Sequence, residues 1–175
     1  MTLLRGGREF SGREGQVMEE FEPFAGLLDD RQSDAAALIA RGVRRMLRAR
    51  GYSSVTELPL LDGRRADVVA LHGDGALLII EIKSSVADFR ADRKWRDYRA
   101  HCDEFFFAIG ASVPAGIIPE EAGLILADSY GAEIVRPAPR LRLAPATRRA
   151  VLLRFAQAAA DRLHRLADPS GIVEY

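Results

Sequence analysis

Two apolar runs with a three-residue break between them constrain this chain more than any other feature. Arg65–His72 and Ala76–Ser84 are rich in Val, Leu and Ile, and only Gly73-Asp74-Gly75 separates them. A three-residue connection with glycine in the last place is a common hairpin loop, because that residue sits at positive φ. Pairing centred on Asp74 sets Gly73 against Gly75 and Asp67 against Glu81. Those carboxylates would face each other on neighbouring strands, with Cβ atoms about 5 Å apart. Lys83, two residues past Glu81, lies on the same face of the sheet. Two acids and an ammonium converge at one spot.

The flanking sequence supplies the other elements. Ser33 or Asp34 can cap a helix whose apolar positions Leu38, Ile39, Val43, Met46 and Leu47 follow helical spacing, ending before Gly51. Its other face holds Arg41, Arg44, Arg45 and Arg48. A short strand is expected over Val55–Leu61, stopping at Asp62-Gly63. Ser85-Val-Ala-Asp88 reads as a capping box, followed by a helix that places Trp95, Tyr98 and Cys102 on one face. Strands are expected over Phe105–Gly110, Gly123–Ala127 and Ala132–Val135, the last two joined by a turn at Ser129–Gly131. A helix from Pro145 to about Ala167 points Val151, Leu152, Phe155, Ala159 and Leu163 inward. The order is αβββαβ(β)(β)α, an α/β class with a mixed central sheet flanked by helices. Residues 1–32 are expected to form a mobile tail or partly docked arm, residues 33–168 the domain, and residues 169–175 a tail.

Composition removes several function classes. A chain of 175 residues is one domain, long enough for a core without metal or disulfide staples. The single cysteine, Cys102, excludes a disulfide framework and a cysteine-based zinc site, and suits a reducing cytoplasm. The opening MTLLRGGREFSGREGQ has no apolar signal core, and no stretch is long and apolar enough to span a membrane. Overall neutrality hides a division. Residues 1–34 carry four Arg against eight acids, while residues 136–165 carry eight Arg against Asp161 alone. That basic rim suits a phosphate backbone. Two lysines stand against 23 arginines, so a lysine here marks a need for a compact, titratable ammonium.

Two facing carboxylates repel unless something positive sits between them, and hard oxygen ligands suit Mg²⁺ or Mn²⁺. A water on such an ion can attack a phosphodiester, and an ammonium beside it can orient that water or stabilise the transition state. Chance supplies roughly 0.3 acid-x-Lys matches in such a composition. The chain has two. Asp92-Arg93-Lys94 falls in a helical pattern, where i and i+2 do not face each other, and is set aside as accidental. Glu81-Ile82-Lys83 ends an apolar strand opposite an acid. A cross-strand charge cluster of purely structural purpose would instead set opposite signs face to face.

Asp67, a hairpin, Glu81-x-Lys83, a following helix and the αβββαβ order resemble the PD-(D/E)XK nuclease superfamily. More narrowly, RRADVVAL, IIEIKSSVADFRADRKWRDY, CDEFFFAI and GLILADSYGAEIVR are similar to the MmcB family of bacterial DNA-repair proteins, over about residues 32–167. The resemblance implies a restriction-endonuclease-like core and a metal-dependent DNA endonuclease, a hydrolase of phosphodiester bonds. It makes Asp67 and Glu81 metal ligands, adds the Ile82 carbonyl, and makes Lys83 the catalytic lysine. Lys94-xxx-Tyr98 resembles a Q-x-x-x-Y helix that supports some sites of the superfamily, with Lys for Gln. Ala66 stands where the motif name has proline. The further acid many members carry on the first helix is missing between Ala35 and Thr56, and Glu57 is the nearby substitute, which leaves a second metal position open.

The remaining residues carry weaker assignments. Arg44, Arg45, Arg65, Lys94, Arg148 and Arg149 are candidate DNA contacts, and Ser84 and Tyr98 candidate site support. Ser84 and Ser85 read as helix-capping, Asp88 as a cap partner, Trp95 and Tyr98 as core, and Cys102 as a small buried residue. His72, His101 and His164 have no metal spacing. The expected partner is DNA, with a homodimer or other repair proteins left open. Two rivals stand beside the nuclease: a non-catalytic DNA-binding accessory subunit on the same fold, and a structural α/β adaptor.

Overall fold

Six strands lie side by side in chain order, so that every strand neighbours the next one in sequence. The structure, a computed structural model, describes residues 34–169. The expectations for residues 1–32, for Ser33 as a cap and for residues 170–175 lie outside them. Helix α1 (Asp34–Ala49) buries Ile39, Val43, Met46 and Leu47, but Leu38 is exposed. Gly42 is where this helix meets the far side of the sheet. A Cβ there would stand 2.1 Å from the Asp128 carbonyl and 2.4 Å from that of Gly131.

Strand β1 (Tyr52–Pro59) begins three residues before the expected strand. Ser53 and Ser54 hide it from a hydrophobicity reading, yet they pair with Leu71 and Ala70. Strands β2 (Arg65–His72) and β3 (Leu77–Lys83) form the hairpin in the expected register, Leu71 against Leu77 through Val68 against Ile80. Gly75 takes the positive φ (87°) that closes its loop. Every residue of β3 is buried.

The helix expected to run on from Ser85 is broken. Helix α2 spans only Val86–Ala91, and a 3₁₀ helix follows over Trp95–Ala100. Between them the Asp92 Oδ1 accepts the Lys94 N–H at 3.1 Å, a local bond that competes with the helix. Trp95, Tyr98 and Cys102 still reach one core cluster, which is why their spacing reads as continuous. Strand β4 (Glu104–Ile109) returns parallel to β3, β5 (Gly123–Ala127) parallel to β4, and β6 (Ala132–Arg136) antiparallel to β5.

Two cores result. Helix α1 covers Val68, Ile80, Ile82 and Phe106 on one face. The 3₁₀ helix and α3 (Pro145–Ala167) cover Val69, Ile79, Phe105 and Phe107 on the other. Val151 and Phe155 of α3 are buried and Leu152 half-buried, but Ala159 is exposed and Leu163 is 68% exposed, against expectation. By that point the helix tracks strand β1, where Arg162 rather than Leu163 turns in to the Thr56 carbonyl.

Candidate active site at the open end of the hairpin

The β2–β3 ladder stops one step short of Asp67 and Glu81, and their side chains take over from the backbone. The Asp67 N–H donates to Glu81 Oε1 at 3.2 Å, and the Ile82 N–H donates to Asp67 Oδ2 at 2.8 Å. Each carboxylate is thus held by the other strand's main chain. Lys83 Nζ lies 3.9 Å from Glu81 Oε2 and 2.8 Å from Asp92 Oδ2, and 5.9 Å from the centre of the Phe107 ring. Glu81 and Lys83 are 4% and 5% exposed.

The electrostatics follow from this crowding. Burial, then the Asp67 charge, pushes the Glu81 carboxyl well above its ordinary range. Burial also raises Asp67, against the Ile82 N–H and the Lys83 charge. For Lys83, burial pulls downward, but the Asp92 hydrogen bond and the charges of Glu81, Asp92 and Asp88 outweigh it and hold the ammonium protonated. Two carboxylates, those of Glu81 and Asp92, thus share one ammonium.

The donor set suits one kind of metal and not another. Among the described residues no three His, Cys, Asp or Glu side chains gather as a metal cluster. A zinc-type centre with three or four side-chain ligands does not fit. Mg²⁺ takes one or two carboxylates and fills its shell with water and phosphate oxygens. Asp67 and Glu81 each commit one oxygen to a backbone N–H, which leaves Oδ1 and Oε2 as hard donors. The Ile82 carbonyl lies on the same edge of β3 as its N–H. The pair fits Mg²⁺ or Mn²⁺.

The expected second acid is placed differently. Glu57 lies inside β1. The pairs Thr56–Val68 and Leu58–Ala66 bracket it, so Glu57, Asp67 and Glu81 form a row across three strands. Its φ of 49° is the one positive value at a non-glycine among the described residues, and its carboxylate meets the Arg65 guanidinium. The row is kept, but that side chain is turned to Arg65.

Supporting residues divide similarly. The Tyr98 hydroxyl donates to the Arg65 carbonyl at 3.2 Å and its ring stacks on Phe105, which fixes the start of β2. Asp88 accepts the Ser84 N–H at 3.1 Å, one residue earlier than a capping box requires, while Ser85 Oγ caps α2 by accepting the Asp88 N–H. Lys94 is exposed at the start of the 3₁₀ helix. Trp95 and Cys102 are core, and burial pushes the Cys102 thiol up to about 12.

The candidate DNA contacts do not form one surface. Arg44 is half-buried and Arg45 donates to the Ser129 and Tyr130 carbonyls, both on the α1 face. Arg148 is committed to Asp103, at 2.5 and 2.9 Å, and to the Gly75 carbonyl at 2.7 Å. That is the turn end of the hairpin, opposite Asp67. Arg149 is exposed beside Arg142 at a groove of about 620 Å³ that Leu152 and Leu153 also line. Sequence reasoning missed two acids. Asp92 was hidden by a pattern that looked helical. Asp103, which also accepts the Leu77 N–H at 2.8 Å, has no sequence signal at all.

Taken together, these features define a mixed α/β domain with an acid–lysine cluster at the carboxyl end of a buried central strand. The chain belongs to the MmcB-like family: the model described as DNA repair protein MmcB-like matches residues 24–170. It is similar to a solved structure of a protein of unknown function from Silicibacter pomeroyi, at 46% identity over 82% of this chain and 99% of that one, with a TM-score of 0.79. No curated protein matches the chain. Among the described residues, no helix is long and apolar enough to cross a membrane.

Proposed function

We propose that this chain is a metal-dependent DNA-repair nuclease of the PD-(D/E)XK kind. The observation that carries the reading is the mutual clasp of Asp67 and Glu81, each pinned by the other strand's N–H, with Lys83 Nζ 3.9 Å from Glu81. Asp67 and Glu81, with the Ile82 carbonyl, would hold one Mg²⁺ or Mn²⁺. When bound, such an ion neutralises phosphate charge and acidifies a water. The carboxylates are arranged beforehand; burial keeps both pKa values raised, joined at Glu81 by the Asp67 charge, and a bound cation would favour the ionised forms. Lys83 stays protonated beside Asp92 and Glu81. Its part is therefore to orient the attacking water and stabilise charge on the phosphate oxygens, not to abstract a proton. DNA as the substrate rests on the family's description and on the exposed Arg142 and Arg149 at the α3 groove.

The burial of Glu81 and Lys83 favours one second reading, a DNA-binding accessory subunit that keeps the fold without the reaction. Incubation with Mg²⁺ or Mn²⁺ and single-stranded, duplex, nicked and branched DNAs separates the two. Metal-dependent cleavage supports the nuclease. Binding without cleavage on every substrate supports the accessory subunit.

A further inference from the structure

Asp92 lies outside the Asp67…Glu81-x-Lys83 motif, yet it makes the shortest contact to the Lys83 ammonium, 2.8 Å against 3.9 Å for Glu81. Its two oxygens have separate tasks. Oδ1 accepts the Lys94 N–H at 3.1 Å, and Oδ2 faces Nζ. The first bond belongs to the break between α2 and the 3₁₀ helix, so the chain leaves the helix where this carboxylate is delivered. The side chain is largely buried, at 17% exposure, and Lys83 is enclosed with it. Without Asp92, a lysine on a flexible four-carbon stem would be left with Glu81, close on it and compete for its oxygens. The contact distances show the opposite preference.

We propose that Asp92 is a positioning residue: it holds the Lys83 ammonium off Glu81, so that Oδ1 of Asp67 and Oε2 of Glu81 stay available to a divalent cation. The inference rests on the nuclease reading above. Outer-shell partners of this kind are typically worth about 10–100-fold in metal affinity or activity.

The test is a double-mutant cycle on Asp92→Asn and Lys83→Ala. Asparagine keeps one acceptor for the Lys94 N–H, and replaces the charged Oδ2 that meets Nζ by an NH₂ group that cannot accept from it. Asp92→Asn should lower kcat about 10–100-fold with KM for DNA within about twofold, and should raise the Mg²⁺ concentration needed for the metal-induced Tm shift. Because Asp92 acts through Lys83, the double variant should lose no more activity than Lys83→Ala. In EDTA, the Tm changes of the two substitutions should also be non-additive. Losses of activity that simply add would show Asp92 acting independently of Lys83 and overturn the inference, and so does wild-type turnover in Asp92→Asn. Either result leaves the nuclease reading standing. A wild type that cuts no DNA overturns the nuclease reading itself, and the positioning role with it. Asp92→Ser, which also keeps an acceptor, replaces Asp92→Asn should the latter melt below assay temperature.

Discussion

Asp67 and Glu81 hold each other across the open end of one hairpin, the Asp67 N–H on Glu81 Oε1 at 3.2 Å and the Asp67 carboxylate on the next residue's N–H at 2.8 Å. Two acids brought together in this way burden the fold, and that burden can be measured.

Glu81→Gln should stabilise the metal-free protein at pH 7. Burial and the Asp67 charge hold the folded carboxyl well above 4.5, the ordinary glutamate value that the unfolded chain returns to. Stability from this group is fully present below that pH and is lost as pH rises through the raised folded value. Glutamine still accepts the Asp67 N–H and carries no charge. A gain of about 1 kcal/mol would raise Tm by about 2–4 °C for a domain of this size. The gain should shrink as pH falls toward 4.5, and Mg²⁺ should raise the wild-type Tm but not that of Glu81→Gln. Thermal melts at several pH values, with and without Mg²⁺, check this.

Asp103→Asn should destabilise strongly. Burial alone would raise this carboxyl, but the Arg148 hydrogen bond and the Leu77 and Leu143 N–H groups outweigh it and hold it below 3.8. Its contribution is present above that value and lost as pH falls through the lowered one. Breaking this partly exposed pair should cost about 2–4 kcal/mol at pH 7, less in acid, as denaturant unfolding would show. Arg148→Ala should behave alike, since its guanidinium ties α3 to the hairpin turn.

Much of this arrangement is legible in the sequence, for definite reasons. Gly73-Asp74-Gly75 sets the hairpin register, and with it the placement of Asp67 and Glu81, because a short loop allows few pairings. Lys83 follows from strand alternation. Asp92 does not, because 3₁₀ and α-helix both bring i and i+3 to one side, and Trp95 and Tyr98 conceal the break. Glu57 is re-aimed by a backbone angle that no residue type announces. Arg148 reads as one more surface arginine, because its partner Asp103 is 45 residues away.

DNA affinity should depend on exposed arginines beside the α3 groove. Arg142→Glu with Arg149→Glu should flatten the slope of log Kd against log salt by up to about 2, the equivalent of two phosphate contacts, while stability changes by less than about 0.5 kcal/mol per site. An unchanged slope would place DNA elsewhere on the molecule.

Lys83 tests the central claim most directly. Single-turnover cleavage in Mg²⁺ should be measured for wild type, Lys83→Ala and Lys83→Arg, with DNA affinity and Tm alongside. A guanidinium keeps the charge but is planar and broader than the ammonium that meets Asp92 at 2.8 Å and Glu81 at 3.9 Å. Both variants should fold, bind DNA and lose about 10²–10⁴-fold in rate. Cleavage at the wild-type rate in both would contradict the account, because the ammonium would then have no part in the reaction.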